Sequence, residues 1–216
     1  IIKPEVGIIT NISYAHAKNF KNLKQIALAK SEIMNHIVSG GSIVLNADDK
    51  FYNYFKSKAQ NRNLKIISFS RKKKSNIQLS KIKSFKNKSI IKININGRSK
   101  NFIIKRNLEF YLENILASIA VISNYLDLDN INEKFFFNYN LPQGRGDHKY
   151  IKIKKKKIHL IDESYNSNPL SLKFALNNFS KLNSQSKRKI ILLGDMLELG
   201  KFSKKLHLEA AKIVNN

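Results

Sequence analysis

Short runs of β-branched apolar residues alternate with stretches of helical periodicity along the first third of the chain. Residues 6–10 (VGIIT), 42–45 (SIVL) and 64–69 read as strands buried on both faces, each closing in polar residues. Between them fall a helix over 22–37 and another through Tyr52 and Phe55. In the first, Ile26, Lys30, Ile33 and Ile37 follow i, i+4, i+7, i+11 spacing; Asn22 and Gln25 form an N-terminal cap pair, and Ser39-Gly40-Gly41 ends the helix. This alternation predicts an α/β layer with right-handed crossovers. The pattern then switches to period two at 77–82, 90–95 and 102–105, with Asn96-Gly97 as a type I′ hairpin turn, predicting an antiparallel insert on an edge of the main sheet. Residues 111–125 predict an amphipathic helix and 131–137 another short one. The Pro/Gly-rich stretch 141–146 reads as a joint between domains 1–142 and 143–216. Beyond it, 150–153 and 158–161 predict a strand pair turning at a lysine run. Asn168-Pro169 opens a helix to Leu182, 189–193 (KIILL) reads as a buried strand, and a last helix starts near Ser203.

Composition changes little in this picture. The chain has 216 residues, a formal net charge of +25 and no cysteine. Such a charge ordinarily suggests nucleic acid or an anionic membrane. Here lysine rises together with isoleucine and asparagine throughout, as in a chain from an AT-rich genome, and the densest runs (71–74 and 154–157) fall at expected loops or turns. Most of the charge therefore reads as solvated surface. The absence of cysteine fits a cytosolic protein, and no apolar run approaches the roughly 20 residues of a membrane helix. The chain starts inside a strand approach without Met and stops just after a helical run, so a fragment of a longer protein is expected.

Lys30 is the first candidate for chemistry. Set between apolar neighbours, its amine loses hydration and its pKa falls, leaving a neutral nucleophile able to take up CO₂ as a carbamate. The alternative is a stem lying along the core with its charge in solvent. Three further features sit at the C-terminal ends of expected strands, where open α/β sheets bind ligands. The first is 10–16 (TNISYAH), which brings His16 shortly before the Lys30 helix. The second is 162–169 (DESYNSNP), where two acids and several amides precede a helix N-terminus that favours anions. There Asn168 has the plain alternative of a helix cap. The third is 194–200 (GDMLELG), whose glycines also suit simple backbone geometry.

Taken in order, T-N-I-x-x-x-H, A-x-A-K-S-E-I, V-L-N-A-D-D, G-R, D-E-S-Y-N-S-N-P and L-G-D-M-L-E-L-G closely resemble the Mur ligase family, over residues 2–207. The last two motifs resemble the members that add D-alanyl-D-alanine to UDP-N-acetylmuramoyl-tripeptide. The resemblance implies an α/β chain: a partial central ATPase domain, mostly parallel with an antiparallel β insert, then a partial Rossmann-like C-terminal domain. It implies ATP-dependent amide formation through an acyl phosphate, with ATP and Mg²⁺ as cofactors and the UDP-tripeptide and dipeptide as substrates. It further implies a cytoplasmic monomer with no specific nucleic acid and no membrane insertion.

Residue roles follow from the same resemblance. Lys30 matches the lysine that becomes carbamylated and His16 the histidine that ligates a second Mg²⁺. Asn114 matches an adenine contact, and Arg145 an arginine that reaches ATP. One of Asp162 and Glu163 matches the ribose contact, with the choice between them open. Asn11, Tyr165, Asn166 and Asn168 are candidates for the substrate side. There are departures: Tyr111 stands where the family often has a second asparagine, and no G-x-x-G-K-[ST] phosphate loop, upstream metal-binding glutamate or UDP-binding domain is present. As written, the chain is not expected to turn over. Three rivals remain: another amino-acid ligase of the family or a folylpolyglutamate synthase-like enzyme, a basic nucleic-acid-binding protein, and a non-catalytic relative used as a binding module.

Overall fold

The computed structural model describes residues 3–182 and 188–214, apart from the side chain of Leu128. The chain forms two compact units, Ile1–Ile12 with Ala27–Tyr139, and Ser13–Ile26 with Asn140–Asn216; the boundary between residues 26 and 27 falls within a helix.

In the first unit, strands β1 (Val6–Ile9), β2 (Ser42–Asn46), β3 (Lys65–Ser70), β4 (Ile77–Ser84), β5 (Lys88–Ile95) and β6 (Arg98–Lys105) form one sheet in sequence order. β1 to β4 run parallel, and β4–β5–β6 is an antiparallel meander. The period-two segments thus extend the sheet edge, as their alternation predicts. Asn96 and Gly97, with φ of 49° and 92°, make the hairpin turn. The join between the two halves is short. Only Phe69–Ile77 and Ser70–Gln78 pair across β3 and β4, and Asn76 reinforces the seam by accepting the Ser68 amide (2.9 Å) and hydroxyl (2.8 Å). Helix α2 (Tyr52–Asn61) packs on β2 and β3, and α3 (Leu112–Ile122) packs across β2, β3 and β4. Ile43, Phe69, Ile77, Ile91, Phe102, Leu112 and Leu116 are fully buried at the centre. Dehydration of these side chains, about 1.5–3 kcal/mol each, is the main drive for this unit.

Three expectations change here. The helix over 22–37 is α1 (Leu23–Ser31) followed by a 3₁₀ turn, Glu32–Asn35. Lys30 therefore sits in the last turn of α1 rather than mid-helix, and Ile33 of its expected apolar stripe is exposed. A 3₁₀ stretch, Arg106–Tyr111, precedes α3, so Tyr111 lies before the helix. Residues 131–137 are consecutive turns, not a helix: Phe135 and Phe137 amides reach back three residues, and the Glu133 carbonyl accepts from the Ile103 amide. Pairing with the edge strand β6 competes with the helical ladder and prevails.

The second unit contains α1's start, the antiparallel pair β7 (Asp147–Ile153) and β8 (Lys156–Asp162), α4 (Pro169–Lys181) and α5 (Ser203–Val214). The 154–155 turn lies between β7 and β8, with Lys154 at φ 53°. Met196, Leu199 and Leu206 form a small core with Tyr14, Leu172 and Phe202 against it. The Asn22–Gln25 cap forms as expected: Gln25 N–H donates to Asn22 Oδ1 at 3.1 Å, and Lys21 N–H to Gln25 Oε1 at 2.6 Å. The strand expected at 189–193 does not form; Ile190 and Leu192 are 65% and 91% exposed. Such a run is strand-like only between neighbouring strands, and among the described residues none pairs with it. No helix among the described residues is long and apolar enough to cross a membrane.

The α4 cap yields a direct test. Asn168 Oδ1 accepts from the Leu170 and Ser171 amides, both at 3.0 Å, and Ser171 Oγ accepts from the Asn168 amide at 3.0 Å. Asn168→Ala is expected to lower stability by about 1 kcal/mol, read as a reduced denaturant midpoint, with Asn168→Ser nearly neutral. Equal loss in both variants would mean that the cap is not what fixes this helix start.

Candidate active site

In the first unit the parallel strands deliver their C-terminal ends to one edge, where chain reversals need partners for the released backbone groups. The last residue of β2 and those just after it supply them. Asn46 Nδ2 donates to the Thr10 carbonyl (3.0 Å), and Asp49 accepts the Ile12 amide (2.9 Å) through Oδ2 and the Phe51 amide (2.7 Å) through Oδ1. Asp48 Oδ2 accepts the Arg71 amide at 2.6 Å, so the basic run 71–74 is a loop strapped to this edge. Asn46, Asp48 and Asp49 thus tie the loops of this edge together. Single-sequence reasoning used them only as a motif, and their signal was two acids immediately after a buried strand.

Lys30 reaches this edge: its Nζ donates to the Asn11 carbonyl at 3.1 Å. Asn11 contributes here through its backbone. The Lys30 residue remains exposed, closer to the solvent-facing alternative than to a buried position. Its amine is nevertheless partly dehydrated, and this pulls its pKa below the ordinary lysine value against the opposing pull of the Asp49 carboxylate. Lys30 is thus accessible and partly dehydrated at once. Asn114 lies on the exposed face of α3, where its carbonyl accepts from Ser118 Oγ at 2.9 Å.

The second unit holds the other candidates. His16 is exposed and left-handed (φ 54°, ψ 38°), and its Nδ1 is in close contact with the Glu198 carboxylate. Glu198 received no role from the sequence. Gly144, Arg145 and Tyr165 form a second cluster: the Tyr165 amide donates to the Gly144 carbonyl at 3.0 Å, and the Arg145 guanidinium lies 4.1 Å from the centre of the Tyr165 ring. This is a cation–π contact that leaves both groups exposed. Asp162 is tied locally, accepting the Ser164 amide at 3.0 Å and lying 3.7 Å from Lys149 Nζ, while Glu163 and Asn166 are exposed. Asn168 uses its Oδ1 in the helix cap, so the plain reading of that residue is realised.

The Asp147–Lys149–Asp162 triplet gives a pH expectation. Lys149 donates to Asp147 at 2.8 Å and holds its carboxyl below the usual value of 3.8; Ser164 does the same for Asp162, while Asp147 raises the Lys149 pKa above 10.5. Depressed carboxylates stabilise the fold above their unfolded pKa, and this contribution disappears as pH falls through the folded values. The raised lysine contributes below 10.5 and loses this as pH rises through its folded value. Amide protection in β7–β8 is thus expected to be flat in between and to weaken below pH 3.8. Lys149→Met should weaken that acid limb; an unchanged limb in the variant would remove the triplet as its origin.

Residues 1–122 match the Mur ligase middle domain. The chain is 31% identical over 211 residues to the UDP-N-acetylmuramoyl-tripeptide–D-alanyl-D-alanine ligase of Rickettsia prowazekii, covering 97% of this chain and 45% of that protein. Its structure resembles the crystal structure of MurF from Acinetobacter baumannii (TM-score 0.83, 24% identity, 99% of this chain and 45% of that one). It also resembles MurF ligase from Thermotoga maritima, solved in complex with ADP (TM-score 0.77, 20% identity, 98% and 47%). The chain thus spans a little under half the length of these relatives.

Proposed function

The chain belongs to the Mur ligase family, and from that premise we propose that it forms part of a ligase joining D-alanyl-D-alanine to UDP-N-acetylmuramoyl-tripeptide at the expense of ATP. In this reading residues 1–142 are the latter part of the central ATP-binding domain, and 143–216 begin the C-terminal domain. The reaction is amide formation: the terminal carboxylate of the tripeptide is activated as an acyl phosphate, and the dipeptide amine displaces the phosphate. The cytoplasm, where ATP and nucleotide-linked precursors meet, is its expected location.

The observation that carries the reading is Lys30, a partly dehydrated amine anchored at the C-terminal edge of a parallel sheet. An unmodified amine is no ligand for Mg²⁺, which takes oxygens, keeps several waters and usually needs only one or two protein carboxylates beside substrate phosphates. Among the described residues no group of three or more His, Cys, Asp or Glu side chains could hold a metal ion. CO₂ addition to neutral Lys30 would supply such a carboxylate, and with it an oxygen donor of the kind Mg²⁺ takes. The bound ion would neutralise phosphate charge. His16 would ligate a second Mg²⁺, Asn114 would contact adenine, and Arg145 would reach ATP. Asp162 or Glu163 would hold ribose, and Asn11, Tyr165, Asn166 and Asn168 would border the substrates. The Arg145–Tyr165 contact supports a cationic group kept accessible beside the 162–169 loop.

The test is phosphate release from ATP by the protein at the full length of its relatives. Release is expected to require both the UDP-tripeptide and D-alanyl-D-alanine. Release that follows a different amino acid equally well would move the assignment to another ligase of the family.

A further inference from the structure

We propose that Glu198 is a positioning residue for His16, holding its imidazole as the Nδ1–H tautomer so that Nε2 presents its lone pair to a divalent cation. This rests on the proposed role of His16 as a metal ligand. Glu198 itself touches neither metal nor substrate in this scheme.

Several observations converge on the pair. The two residues lie 182 positions apart, yet the Glu198 carboxylate meets His16 Nδ1 and not Nε2. A carboxylate can only accept, so a neutral imidazole in this contact carries its proton on Nδ1 and leaves Nε2 as the acceptor nitrogen. Among the described residues no protein group engages Nε2. The His16 side chain is 71% exposed, so an ion in solvent can approach it.

The backbones are joined as well. The Lys18 amide donates to the Glu198 carbonyl at 2.8 Å. Both His16 and Glu198 are left-handed, with φ of 54° and 58°, a conformation that is strained for a non-glycine residue and persists where surroundings enforce it. Gly200, at φ +54°, lies so close to Lys18 that a Cβ would sit 2.9 Å from both its Cα and its carbonyl oxygen. Tyr14 packs on Phe202 with ring centres 4.8 Å apart, beside the buried Met196 and Leu199. The 194–200 segment is thus built against the 14–18 loop on both sides of the His16–Glu198 contact. An exposed ion pair alone contributes little to stability. Its use here is orientation: metal-binding imidazoles commonly donate their other N–H to a carboxylate, which fixes ring and tautomer.

Two measurements test this. The first is ¹⁵N NMR of the His16 ring in metal-free protein, under conditions where the imidazole is neutral. Wild type is expected to show a protonated Nδ1 and an unprotonated Nε2, Glu198→Ala a loss of that preference, and Glu198→Gln, whose amide oxygen still accepts, its retention. The second is the Mg²⁺ activation constant of the full-length enzyme, expected to rise about 10–100-fold in Glu198→Ala and much less in Glu198→Gln. If His16→Ala raises the constant while Glu198→Ala changes neither tautomer nor constant, the positioning role is overturned and the metal role of His16 stands. If His16→Ala leaves the constant unchanged, the metal role falls and takes the positioning role with it.

Discussion

Replacing Lys30 by alanine in the protein at the length of its relatives should reduce substrate-dependent phosphate release by about 10²–10³-fold in kcat, the scale on which one preorganised charge stabilises a transition state. KM for the UDP-tripeptide should change much less, because the proposed carbamate acts through the metal. Lys30→Arg should not restore activity, since a guanidinium stays protonated and cannot add CO₂. The pH dependence carries a sign. Only the neutral amine reacts, and dehydration lowers the pKa of Lys30 from the ordinary value of 10.5. A carbamate signal from ¹³C-bicarbonate should thus grow with rising pH and appear at lower pH than for surface lysines. Full activity in Lys30→Ala would return the residue to a solvent-exposed stem.

The second large effect is expected at Asp49. Its two oxygens hold the Ile12 and Phe51 amides, at 2.9 and 2.7 Å, tying the loop after β1 to the start of α2. Charged acceptors of this kind are worth about 1.5–3 kcal/mol each, less when both are lost together. Asp49→Ala is therefore expected to cost about 2–4 kcal/mol of unfolding free energy, read from denaturant titration. Asp49→Asn retains an acceptor and should cost less. It also removes the negative charge that raises the Lys30 pKa. Carbamate should then form at lower pH in Asp49→Asn than in wild type. A shift in the opposite direction would separate Asp49 from Lys30.

Local patterns disclosed β1 to β3, the Asn96-Gly97 turn and the Asn168-Pro169 helix start, because each rests on chemistry within a few residues. Lys30 was legible as unusual from its apolar neighbours, although the early end of α1 left it more open than a continuous helix would. Residues 189–193 misled because KIILL has no preference for a strand without strands beside it. Glu198 stayed invisible because its partner lies 182 residues away. Asp49 was visible as an acid after a strand, but nothing local announces that it caps the Ile12 amide. What escaped sequence reading was therefore long-range pairing of polar groups, while periodicity and turn chemistry were readable.

The narrow join between β3 and β4 has a consequence of its own. With just two residue pairs spanning it, the parallel strands and the meander are sewn together mainly by Asn76 and by α3, which lies over β2, β3 and β4 like a splint. Asn114 rides on that splint. Any nucleotide held by Asn114 would therefore brace the seam beneath it, and by reciprocity whatever loosens the seam would weaken the grip on the nucleotide.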